Sequence, residues 1–118
     1  MHDQLVDRIN KDPIMSTEYK IRFPDSPIKD SERIIQIKNL YELKSEGRKM
    51  CHCVGGYVER AQKGDSYFYK VLEPERGTLQ ITIRGKNFSI TQFKLKSNAK
   101  PSEVSWKMVK QWLSEVKL

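Results

Sequence analysis

Between Ser66 and Leu95 the chain runs through three stretches in which apolar and polar residues alternate: Ser66 to Leu72, Gly77 to Arg84 and Phe88 to Leu95. They read as an antiparallel meander, the last two strands joined by a tight turn at Gly85-Lys86-Asn87. In the middle strand Leu79, Ile81 and Ile83 share one face, and Thr78, Gln80, Thr82 and Arg84 the other. That pattern predicts a sheet with one side packed and one side wet. In the third strand Phe88 and Ile90 fall into line with Gln92, placing an amide on the apolar face. A buried glutamine must satisfy both its donors and its acceptor, so Gln92 either ties down a neighbouring loop or contacts a ligand.

Helices are expected before and after the meander in the sequence. Asn39, with Glu42 three residues on, has the spacing of a capping box. It opens a short helix with Leu40 and Leu43 on its apolar face, ended by a left-handed Gly47. A second helix begins around Cys53 and Val54, because Val54, Tyr57, Val58 and Ala61 fall at i, i+3, i+4 and i+7; Gly64 ends it. Gly55 and Gly56 in its first turn each cost about 1 kcal/mol relative to alanine in a helix interior, and close backbone approach is the reason expected for them. Pro101 and Ser102 open a final helix with Val104, Met108 and Trp112 in one row and Val109, Leu113 and Val116 in the next, a surface suited to pack on the sheet.

The start of the chain is less regular. Pro13, Pro24 and Pro27 interrupt any long helix, and Asp25-Ser26-Pro27 reads as a turn. Leu5, Val6 and Ile9 fit one face of a helical turn, Tyr19, Ile21 and Phe23 an edge strand, and Arg33 to Ile37 a further short strand. The expected class is α+β: a three-stranded antiparallel meander, open to extension by N-terminal strands, packed with two short helices and a C-terminal helix. Residues 1–36 form the irregular segment and residues 37–118 the domain.

A chain of 118 residues with 22 Lys and Arg against 15 Asp and Glu carries a net charge of +7. That balance favours anionic partners, nucleic acid the commonest of them, although a basic surface spread along the whole chain also fits ordinary solvation. No run approaches the roughly 20 apolar residues needed to span a bilayer, and Met1-His2-Asp3-Gln4 lacks the basic start of a signal peptide. A cytoplasmic protein without membrane partners is expected, with Cys51 and Cys53 as thiols.

The concentrated chemical signal is Met50-Cys51-His52-Cys53-Val54-Gly55-Gly56-Tyr57. A thiol at a helix start faces unpaired amides and the positive end of the helix dipole, both of which favour the thiolate. Cys53 has such a place, Arg48 and Lys49 lie just upstream, and His52 can serve as an acid or base. Adjacent side chains project in different directions, so the alternative is a small structural cysteine beside a hydrogen-bonded histidine. A closed zinc site needs four ligands, and the other histidine is His2 at the irregular start; neither a metal nor a cofactor is expected.

Glu46-Gly47, Met50, His52-Cys53-Val54-Gly55, Tyr57, Gly64, the strand with Thr78-Leu79, then Gln92 and Asn98 resemble, in order and spacing, the PcfJ-like domain of conjugative plasmids, phages and other mobile elements. The resemblance covers about Ile37 to Leu113. Leu95 stands where members often carry glycine, and many members are longer proteins with this domain at the C-terminus, which makes this chain a reduced version or one lacking an upstream region. The resemblance implies a mobile-element setting and a polar cluster of His52, Cys53, Tyr57, Gln92 and Asn98.

Three functions follow. The first is a module binding nucleic acid or a nucleoprotein through Arg48, Lys49, Arg84, Lys86, Lys94, Lys96 and Lys100, with Tyr67, Phe68 and Tyr69 as stacking surfaces wherever they face outward. The second is an enzyme using Cys53 or His52, with Gln92 and Asn98 positioning a carbonyl, amide or phosphate. The third is an adaptor or inhibitor of a host protein.

Overall fold

The computed structural model describes residues 13–53 and 55–117. The helical turn expected at Leu5, Val6 and Ile9 lies outside them, as does Val54. Helix α1 (Pro13–Lys20) is followed by strand β1 (Ile34–Gln36) and helices α2 (Leu40–Met50) and α3 (Gly55–Lys63). Strands β2 (Ser66–Val71), β3 (Gly77–Arg84) and β4 (Asn87–Leu95) come next, then a 3₁₀ turn (Lys96–Asn98) and helix α4 (Glu103–Ser114). The meander is present and β1 extends it to a four-stranded antiparallel sheet in the order β1-β2-β3-β4. Arg84 pairs with Asn87, so the hairpin loop is Gly85-Lys86 alone, with Gly85 at φ 63°. Two-residue hairpin loops require that left-handed backbone, which glycine adopts without steric cost.

On one face of the sheet Tyr69, Val71, Leu79, Ile81 and Phe93 pack beneath Val109 and Leu113 of α4. The opposite face is wet only at the hairpin end, where Arg84 and Thr91 are exposed. Helices α2 and α3 cover the rest, Leu43 and Ala61 packing with Phe68, Ile37 and Phe23, and Thr78 and Gln80 are buried there. The polar residues of β3 spend their hydrogen bonds beneath helices rather than in water, which is why polarity alone misjudged this face. Phe68 and Tyr69 are fully buried and Tyr67 half-buried, so the first two offer no stacking surface.

The irregular N-terminal stretch contributes Phe23 and Ile28 to these cores. Gln36 holds it in place, donating from Nε2 to the Pro24 carbonyl and accepting from the Ser26 amide, both at 3.0 Å. Tyr69 Oη donates to the Ile28 carbonyl at 2.7 Å and lies 2.5 Å from Ser26 Oγ. Tyr19 to Phe23 is not a strand: Tyr19 belongs to α1, and Arg22 alone makes a bridge, to Asn39. Pro24 cannot donate to a ladder, so the extended stretch stops at once.

Asn39 caps α2, its side chain accepting from the Glu42 amide at 2.8 Å, while Glu42 accepts from Lys38 N at 3.0 Å. The helix does not end at Gly47. Leu43, Glu46, Gly47 and Met50 form its buried face, and Cys51 ends it at φ 55°, ψ 44°. The Gly47 carbonyl accepts from Cys51 N and from His52 N, the latter at 2.9 Å. A β-carbon on Gly55 or Gly56 would meet nothing within 4 Å, so close packing does not explain these glycines. In α4 the row facing the sheet is Ser105, Val109 and Leu113, and Val104 is 65% exposed rather than packed.

Candidate functional site

The polar cluster lies where α2 and α3 cover β3 and β4, and a β-bulge decides its composition. Leu79 pairs with Phe93 and Gln80 with Gln92, but Ile81 pairs with Ile90, so Thr91 is the inserted residue of β4. An extra residue reverses the alternation beyond it. Gln92 therefore does not share the apolar face of Phe88 and Ile90; it stands opposite Gln80 beneath the helices. There Tyr57 Oη donates to Gln92 Oε1, Gln92 Nε2 to Gln80 Oε1, and Gln80 Nε2 to Ser66 Oγ, each at 3.0 Å. Ser66 Oγ lies 3.2 Å from Thr82 Oγ1, which bonds in turn to Thr91. The Tyr57 ring stacks on Phe68 at 4.7 Å, and burial pushes its phenol pKa up.

His52 closes the other side of this cluster. The left-handed Cys51 reverses the chain, so His52 is 8% exposed while Cys51 and Cys53 face solvent. Neither ring nitrogen has a hydrogen-bond partner among the described residues. Burial lowers the imidazole pKa below its ordinary 6.5. The exposed Asn98 lies close enough to favour the charged ring without forming a well-made hydrogen bond, and the Glu46 carboxylate acts in the same sense. Lys94 and Arg76 favour the neutral ring. The space among His52, Tyr57, Thr78, Gln80, Gln92 and Lys94 has no room for a water molecule.

A family model described as PcfJ-like protein matches residues 1–109. The chain belongs to the PcfJ-like family. A Listeria innocua protein described as uncharacterized is 28% identical over an alignment 116 residues long, in which 91% of this chain is matched to 25% of that protein. The chain thus spans about a quarter of that relative's length. No solved structure gives a significant match.

In this PcfJ-like chain the expected cluster is brought together in part. Tyr57 and Gln92 are bonded, His52 lines the same closed space, and Asn98 stands at its outer edge. Cys53 is exposed while His52 is buried, so Cys51, His52 and Cys53 present no common ligand set, and no metal-binding group occurs among the described residues.

Sequence reasoning missed the strongest electrostatic element of this PcfJ-like fold. Glu46, 2% exposed, takes both guanidinium nitrogens of Arg76 on its carboxylate and accepts from Thr78 Oγ1 at 2.6 Å. Arg76 also donates to the Gly77 carbonyl at 2.7 Å. Its neighbour Glu75 accepts from Ser102 N at 2.8 Å and Ser105 Oγ at 2.6 Å, at the first turn of α4. The available signal was Glu46 itself, a carboxylate at the buried spacing between Leu43 and Met50.

The expected basic residues separate into two groups. Arg84 and Lys86 stand exposed at the β3–β4 hairpin, where Arg60 of α3 lines the same groove as Arg84. Lys94, Lys96 and Lys100 lie towards the other end, beside the 3₁₀ turn against which α2, carrying Arg48 and Lys49, packs. Arg84 and Thr78, the partners of Asn87 and Lys94 across the ladder, are six positions apart on β3, about 20 Å at the strand rise. Arg60 was not singled out from the sequence, because nothing local distinguishes it from other solvated helix residues.

Proposed function

We propose that this chain is a binding module for nucleic acid or a nucleoprotein complex, in the mobile-element setting that the family resemblance implies. The observation that carries the reading is that the polar cluster is closed, with Tyr57, Gln92 and Gln80 hydrogen-bonded to one another, whereas cations stand exposed outside it at both ends of β4. A closed cluster offers no seat for a substrate, while exposed cations attract a polyanion at long range without needing exact geometry. Arg84, Lys86, Lys96 and Lys100 are exposed and make no ion pair among the described residues, which leaves their charge available, whereas the half-buried Lys94 lines the closed cluster.

The test is a titration of labelled DNA and RNA oligonucleotides at several salt concentrations. The logarithm of affinity falls linearly with the logarithm of salt when phosphates are neutralised by lysine and arginine. Absent binding at low salt, or affinity independent of salt, overturns the proposal. Pull-down from nuclease-treated lysate separates it from the adaptor reading: a protein partner that survives nuclease favours the adaptor.

A further inference from the structure

We propose that the groove between α3 and the hairpin end of β3 and β4 seats the phosphodiester backbone of nucleic acid, an inference that rests on the binding function proposed above. Two guanidinium groups, Arg60 and Arg84, line the groove from different elements. Both residues are exposed, and neither makes an ion pair among the described residues. Like charges held around one concavity repel each other, so the groove carries positive potential that an anion relieves. No acidic residue lines it. The remaining wall is neutral and hydrogen-bonding, supplied by Thr82, Asn87, Ser89 and Thr91.

That combination fits a phosphodiester. Guanidinium groups match phosphate oxygens through paired N–H donors, and hydroxyls and amides supply further bonds to phosphate and sugar. Phe88, paired with Ile83, turns its ring to the opposite face of the sheet, where it packs against the core beneath α4, so the groove's side-chain contacts are all polar and suit the backbone rather than the bases. The bulge contributes as well: by inserting Thr91 it places the Thr91 hydroxyl beside Thr82, on the groove side of the sheet.

The experiment compares wild type, R60Q/R84Q and K96Q/K100Q by fluorescence anisotropy with a labelled oligothymidylate and with a duplex of equal length. All four positions are exposed, and far-UV circular dichroism checks that each variant is folded. Each phosphate contact to a single strand contributes about 0.7 to the salt slope, so R60Q/R84Q lowers that slope by about 1.4. Between 50 and 200 mM salt the wild type therefore loses about sevenfold more affinity than R60Q/R84Q. K96Q/K100Q removes the same charge from the other end of β4 and, with the groove intact, binds more tightly than R60Q/R84Q. Wild-type binding with an unchanged R60Q/R84Q slope overturns the groove while leaving the binding function intact, as does loss of binding in K96Q/K100Q alone. Failure of the wild type to bind either oligonucleotide removes the binding function and the groove with it.

Discussion

Replacing Arg76 with methionine leaves the Glu46 carboxylate beneath α2 with Thr78 as its remaining hydrogen-bond donor. The two partners are unequally placed, with side-chain exposures of 2% for Glu46 and 26% for Arg76. Stranding the deeper charge is the costlier change. Breaking a buried pair from that side destabilises a protein by about 3–5 kcal/mol, a large part of the roughly 5–15 kcal/mol typical of a whole domain. Glu46→Gln should cost about 1–2 kcal/mol, because the amide oxygen still accepts a hydrogen bond and the freed guanidinium can turn to water. The double variant E46L/R76M should be more stable than R76M alone, since no carboxylate is left buried. Urea unfolding followed by the fluorescence of Trp106 and Trp112, both packed against the sheet, gives all three values. Equal costs for R76M and E46Q, or a double variant no more stable than R76M, would refute the argument from unequal burial.

Glycine substitutions should have opposite signs at two positions, read by the same unfolding curves. A β-carbon on Gly77 would lie 2.9 Å from Phe93 Cε1, 3.0 Å from Leu95 Cδ2 and 3.1 Å from the Lys94 carbonyl, so Gly77→Ala should cost about 1–3 kcal/mol. Gly56→Ala meets nothing within 4 Å and should stabilise by about 0.4–1 kcal/mol. The lowered pKa of His52 makes stability depend on pH in a definite direction. The folded state resists protonation, so between the ordinary 6.5 and the lower folded value the unfolded chain binds more protons. Stability is complete above 6.5 and falls as the pH descends through that window. His52→Gln should flatten this part of the profile, and an unchanged acid limb in the variant would refute the assignment.

Elements specified by neighbouring residues were legible in the sequence. The Gly85 turn, the alternation along β3 and the Asn39 cap each depend on a few adjacent positions, and all appear in the structure. The face of Gln92 was not legible, because counting by twos from Ile90 assumes an uninterrupted strand and Thr91 breaks the count. Gly47 looked like a helix terminus by residue type, yet the buried spacing of Leu43, Glu46 and Met50 carries α2 to Cys51, a residue with no such preference. Thr78 and Gln80 looked solvated because the helices that cover them are distant in sequence. Of the site, His52, Tyr57 and Gln92 could be gathered by motif, whereas the charges opposing one another around the imidazole depend on how α2 meets the β2–β3 connection.

That connection joins parts of the molecule that otherwise touch opposite sides of the sheet. Glu75 holds the first turn of α4 on one side, and the next residue, Arg76, holds α2 on the other. Detaching either helix disturbs a backbone segment that anchors the other, so neither layer peels away alone. The helices above and below the sheet are thereby linked through two adjacent side chains as well as through the strands on which they pack.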